Sequence, residues 1–172
     1  FSQGRFGGIE IGGKGIKISV VNIKNIETGE FEIVKFWTRN TAITRGVSVD
    51  GKLRPEDINE TANGVKEIFD QLKSEYKLSE DRIFIIASSG VAMATNKEDL
   101  GDKIYSVLNR KLDFVSSEQE GKLVTKGSVP PNKYTNSLIF DIGGGNSKGG
   151  YVTIDDANHY VFTPLAFNLG SV

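Results

Sequence analysis

The stretch "SLIFDIGGGNSKGGYV", residues 137–152, places a carboxylate, Asp141, ahead of three consecutive glycines, Gly143, Gly144 and Gly145, between two apolar β-like runs. A second stretch, "IEIGGKGIKISVV", repeats the plan, with Glu10 ahead of Gly12, Gly13, Lys14 and Gly15. Glycine lets a turn adopt positive φ and lets backbone N–H groups approach an anion with no Cβ in the way, which is how concave amide nests bind phosphate. An acid two residues before the first glycine is placed to hold Mg²⁺ or a water of its shell. Asn146, Ser147 and Lys148 extend the second candidate phosphate-binding loop, and Lys14 and Lys17 add charge beside the first. Glycine at a hairpin turn is ordinary. Two matched copies are what point to one ligand held from both sides, with both turns facing one crevice.

These loops need elements to carry them. "GGIEIGGKGIKISVVNI" alternates apolar with small or polar residues and predicts a hairpin turning at Gly12 to Gly15, and "EFEIVKFWTRN" after the turn signal "ETGE" completes a three-stranded antiparallel meander. Trp37 and Phe36 read as packing and edge residues of that third strand. From Pro55 the period changes, with Ile58, Ala62, Val65, Ile68, Phe69, Leu72 and Tyr76 on one helical face. "RIFIIA" (82–87) is a short apolar run of the kind buried in a parallel sheet, and Leu100, Ile104, Val107 and Leu108 mark another helix. "DFVS" reads as a short strand, "SEQEGKLVTKG" as a helix, and residues 137–152 as a closing hairpin. The order β-β-β-α-β-α-β-α-β-β implies an α/β fold, a mixed sheet with helices packed against it. Ser88 and Ser89 follow "RIFIIA", where the carboxyl end of a parallel strand faces a ligand crevice; phosphate binding and helix capping both suit them.

Composition removes several function classes. With 21 basic and 22 acidic residues the formal charge is -1, so nothing in the balance asks for nucleic acid or an anionic membrane. No cysteine is present, hence no disulfide frame and no thiolate metal site. His159 is the single histidine, so no multi-histidine metal site can be built within the chain, and it reads as a polar residue near a turn. No apolar run is long enough to span a membrane. The chain of 172 residues fits one domain and opens on Phe1, which implies a start that was processed or cut and leaves a removed export signal open.

The segments "IEIGGKGIK", "IIASSGVAMATN", "VSSEQEGKLV", "IFDIGGGNSK" and "LAFNLGSV", in this order and spacing, resemble the N-terminal lobe of the exopolyphosphatase and guanosine pentaphosphate phosphohydrolase family, within the actin, sugar-kinase and heat-shock-chaperone ATPase superfamily. The resemblance implies a ribonuclease-H-like lobe with a mixed five-stranded sheet, helices on its faces and a glycine-rich terminal hairpin, occupying 1–172 as a single lobe. It implies a cytoplasmic protein that hydrolyses the terminal phosphoryl group of polyphosphate or a guanosine polyphosphate with Mg²⁺. Glu120, in the segment matching the family's water-orienting glutamate, becomes the catalytic carboxylate together with Asp141, and Glu10 and Asp141 become metal ligands; Glu120→Gln is then expected to leave folding untouched. On residue pattern alone, Glu118 and Glu120 are equally first-turn acids favoured by the helix dipole. The family continues into a second lobe, so a fragment is expected, its cleft closed by that lobe or by a second copy of the chain.

Three positions depart from the family pattern. Glu10 stands for an aspartate, Ala92 for an arginine, and Lys148 for a glutamate. The last exchange turns a negative position positive, which either removes a metal or water contact or supplies a phosphate ligand. A non-catalytic polyphosphate or nucleotide sensor and an ATP-binding kinase-like lobe therefore stand as alternatives to a hydrolase.

Overall fold

A computed structural model describes residues 3–143, 146–167 and 169. Backbone contacts divide the chain into two compact units, one of Phe1–Lys24 and Phe31–Phe114 and one of Asn25–Glu30 and Val115–Val172.

The first unit is built on a five-stranded sheet. Strands β1 (Gly4–Gly12) and β2 (Gly15–Asn25) form the predicted hairpin, and β3 (Glu30–Asn40) follows a tight turn to lie at the edge beside β2. β4 (Ile83–Ala87) adds to β1 in parallel and β5 (Asp113–Phe114) adds to β4 in parallel, giving the order β3-β2-β1-β4-β5. This is the mixed α/β sheet expected from the periodicity.

The alternation in β1, β2 and β4 sends one set of residues to a single face. Ile9 pairs with Ile18 and Ile85, and Ile11 with Ile16 and Ala87, and all are buried in one core. Helix α2 (Pro55–Ser74) contributes Ile58, Ala62, Val65, Ile68, Phe69 and Leu72 to that core, with its proline in the first turn as anticipated. Tyr76 lies past the end of the helix and stacks on Trp37, their ring centroids 6.0 Å apart. Helix α4 (Lys97–Leu108) buries Leu100 and Ile104. Two four-residue helices, α1 (Val47–Asp50) and α3 (Ser89–Ala92), carry no apolar period long enough to be read from sequence. The other face of the sheet carries Glu10, Lys17 and Phe84. Phe84 is 42% exposed, so β4 is not buried on both sides as its apolar run suggested.

The second unit holds helix α5 (Ser117–Ser128) and an antiparallel sheet, β6 (Leu138–Ile142), β7 (Ser147–Ile154) and β8 (Tyr160–Phe167), in the order β6-β7-β8. The expected closing hairpin is thus a three-stranded meander. β8 contains Pro164, which an edge strand tolerates. Its turn is an Asx type: the Asp155 carboxylate accepts from the amides of Ala157 and His159, and Asn158 takes a positive φ of 63°. His159 is an exposed turn residue, as anticipated.

The burial pattern of the first sheet leads to a contrast that chemical denaturation can measure. Ile9→Ala is expected to cost about 2–5 kcal/mol by opening a cavity in a filled core, whereas Phe84→Ala, already solvated, should cost distinctly less.

Candidate functional site

In the first unit the glycine turn and the serine pair meet at one end of the sheet. β1 and β4 run in register up to Ile11 and Ala87, and the Ser88 amide then donates to the Ile11 carbonyl at 2.9 Å. Gly12 and the Ser88–Ser89 junction are therefore neighbours. Both serines are buried, and Ser88 occupies the N-cap position of α3 without a side-chain capping bond, so capping does not account for its hydroxyl. Gly12 pairs with Gly15 across the two-residue connection Gly13–Lys14. Among these turn residues only Gly15 has a positive φ, +154°, and a Cβ there would lie 2.5 Å from the Arg39 carbonyl oxygen. The Thr44 hydroxyl donates to the Gly13 carbonyl at 2.8 Å. Close approach and an outside hydrogen bond hold this turn, rather than the run of left-handed residues that a nest would use. Lys14 is exposed at its tip.

Glu10 is directly opposite Lys17 in the hairpin register, and the two form an ion pair at 3.0 Å with the lysine 54% exposed. Ala92 ends helix α3, half-buried. The arginine's charge has no replacement at that position.

In the second unit the sequence prepares a closer arrangement. Ser116 caps α5 in a capping box: its hydroxyl accepts from the Gln119 amide, and the Gln119 side chain accepts from the Ser116 amide. This start divides the two acids that the sequence left equivalent. Glu118 is solvated, and a hydrogen bond from the Ser116 hydroxyl holds its carboxyl below the usual range. Glu120 is buried, one position before Gly121, where a Cβ would lie 2.4 Å from the Gly149 carbonyl oxygen. Helix backbone approaches strand backbone closely because Gly121 has no side chain, and Glu120 is thereby brought onto β7.

There Glu120 meets Lys148. Glu120 Oε1 lies 2.8 Å from Lys148 Nζ, with the side chains 11% and 9% exposed. Asp141, directly opposite Lys148 in the β6–β7 register, places Oδ2 3.7 Å from the same nitrogen. Lys148 also donates to Asn146 Oδ1 at 3.4 Å, and Asn146 Nδ2 donates to Ser117 Oγ at 3.3 Å. The Gly143 amide donates to the Asn146 carbonyl at 2.9 Å, closing the turn, so this N–H is occupied within the chain. Ser147 Oγ donates to the Leu169 carbonyl at 2.6 Å. Gly144 and Gly145 lie outside the described residues, as do positions 168 and 170–172 of the closing motif. The two glycine turns belong to different compact units.

The carboxylates named as metal ligands each face a lysine. Glu10 is paired with Lys17, and Asp141 shares Lys148 with Glu120. Among the described residues no group of three histidine, aspartate or glutamate side chains is placed to hold a metal ion. An ammonium lies 2.8 Å from Glu120 and 3.7 Å from Asp141, so this acidic pair does not fit a protein-held Mg²⁺. Sequence reasoning did not find the acid–lysine register. The signal was present: in both hairpins lysine follows the acid by seven residues, with glycines in the turn between.

A mixed α/β sheet and two glycine hairpins, each with an acid ahead of its turn, define the fold and the candidate site. The model of the Ppx/GppA phosphatase family matches residues 20–159, and the chain belongs to that family. It is similar to the crystal structure of the Aquifex aeolicus Ppx/GppA family member, with a TM-score of 0.73 at 21% identity over 98% of this chain and 52% of that one. An exopolyphosphatase from Cytophaga hutchinsonii matches with a TM-score of 0.69 at 18% identity, over 96% of this chain and 51% of that one. A Fusobacterium nucleatum protein described as a bifunctional 3-dehydroquinate synthase/phosphatase is 28% identical over 123 residues, 70% of this chain and 18% of that protein. The chain spans about half the length of the two solved structures and under a fifth of the curated relative. The structural likenesses carry the fold.

Two stability measurements follow from the packing of α5 on β7. Gly121→Ala is expected to destabilise by about 1–3 kcal/mol through overpacking, against a gain of up to about 1 kcal/mol in helix propensity. Lys148→Met should cost about 3–5 kcal/mol by removing the cation from the buried Glu120 carboxylate, and Glu120→Gln combined with Lys148→Met should recover part of that loss in urea unfolding.

Proposed function

We propose that the protein is a phosphohydrolase acting on phosphoanhydrides, with terminal phosphate of polyphosphate or of a guanosine polyphosphate as the substrate. One observation carries the reading: Glu120 is buried and fixed beside the hairpin of Asp141, one helical position from the Gly121–Gly149 contact. A water oriented by Glu120 attacks the terminal phosphorus, the bond to the bridging oxygen breaks, and Glu120 takes the water proton. Such a reaction depends chiefly on positioning and on neutralising charge spread over the equatorial phosphoryl oxygens. Lys148 supplies fixed positive charge beside the carboxylates, and in the first unit Lys14 and the Ser88–Ser89 junction provide donors suited to phosphate oxygens.

A second reading, a phosphate-polymer or nucleotide sensor, is favoured by the same ion pair. One Glu120 oxygen already accepts from the Lys148 ammonium, which leaves the carboxylate less free to accept a water proton. Ala92 in place of a cationic side chain favours it as well.

Phosphate release from polyphosphate separates the two. Glu120→Gln is expected to lower turnover by about 10²–10⁴-fold, the usual loss of a general base. Matched thermal melts are needed, because the buried pair with Lys148 makes this substitution costly to folding, contrary to the expectation from sequence. Undiminished turnover in a folded Gln variant would refute the assigned base. Salt-sensitive triphosphate binding without any phosphate release in the wild-type protein would select the sensor.

A further inference from the structure

We infer that Lys148 is the built-in cation of the second unit's acidic pair, and that this site takes no divalent metal ion. The inference concerns the site of the proposed function and rests on that reading only for its consequence, that phosphate is met there without a protein-held metal.

The geometry is specific. Lys148 and Asp141 are held opposite each other by the β6–β7 register, and the close approach of Gly121 to Gly149 sets Glu120 against the same ammonium. Nζ faces Glu120 Oε1 at 2.8 Å, Asn146 Oδ1 at 3.4 Å and Asp141 Oδ2 at 3.7 Å. Burial distinguishes this arrangement from the matching pair in the first unit. Lys17 and Glu10 are 54% and 28% exposed, so their attraction is screened and either can swing into water. Lys148 and Glu120 are 9% and 11% exposed, so their attraction is little screened and separating them is costly.

Charge arithmetic leads to the same conclusion. Two carboxylates and one ammonium sum to -1. A glutamate at position 148 would make the cluster -3, and a divalent ion would return it to -1. Lysine reaches that sum alone, because exchanging an acid for lysine adds the same two positive charges. A divalent ion entering the present cluster would have to approach carboxylate oxygen to about 2.0–2.1 Å, within direct repulsion of a buried ammonium.

The test is Mn²⁺-induced broadening of the amide resonances of Asp141, Gly149 and Gly150 in the whole protein, for the wild type and for Lys148→Glu. The wild type is expected to show no saturable broadening there. Lys148→Glu is expected to gain one site with a Kd of about 10⁻⁴–10⁻³ M, the range of weak carboxylate sites, and a thermal melt that rises with Mg²⁺. If Lys148→Glu does not fold, Lys148→Gln removes the charge at similar reach and should also gain the ion. Saturable wild-type broadening centred on Asp141, within threefold of the variant's affinity, would overturn the inference. So would absence of binding in a folded variant, since Lys148 would then not be what excludes the ion. No phosphate compound is present in the measurement, so a failed hydrolysis assay and a failed cation result are separate events.

Discussion

The contact between Gly121 and Gly149 is the constraint on which the second unit's chemistry depends. A helix laid across a strand normally stands off by the length of its side chains. With no Cβ on Gly121, the backbone of α5 comes down onto β7, and the neighbouring side chains Glu120 and Lys148 are brought together out of water. Glycine within a helix costs about 1 kcal/mol relative to alanine. That cost is offset here by a close approach that no other residue allows, and the capping box at Ser116 fixes the rotation at which α5 begins. Glu118 and Glu120 are two residues apart, so this rotation alone sends one to solvent and the other to the strand.

The chain uses one hairpin plan twice and obtains two different environments from it. In both, an acid stands directly across the ladder from a lysine seven residues later, and glycines make the turn. Cross-strand opposite charges are a modest stabilising pair when exposed. The Glu10–Lys17 pair remains of that kind. The Asp141–Lys148 pair acquires a third partner from α5, which fixes the lysine in a buried ion pair with Glu120 while the Asp141 side chain stays 46% exposed. The functional consequence follows from burial rather than from the motif: a solvated pair can rearrange around an incoming anion or metal, whereas the buried one presents a set charge pattern.

Family membership and these departures bear on different questions. The match across residues 20–159 places the chain among Ppx/GppA phosphatases, and the structural likenesses carry the same fold. Lys148 and Ala92 concern how the site handles charge. One adds a cation where the pattern has an acid, and the other removes one.

Much of the fold was legible in the sequence because it rests on periodicity: the alternation in β1 and β2, the apolar face of α2, the short run of β4 and the glycine turns all follow from local residue pattern. The acids before the turns and Glu120 were legible as chemistry for the same reason. Tertiary structure decided the rest. The edge position of β8 tolerates its proline, and α1 and α3 are too short to carry a period. The exposure of Phe84 depends on what covers the opposite face of the sheet. Above all, sequence presents Glu120, Asp141 and Lys148 as residues far apart along the chain, with two alternatives for the lysine. Their convergence depends on a strand register and on the distance between a helix and a strand, and both are set by packing between segments distant along the chain, where no local pattern records them.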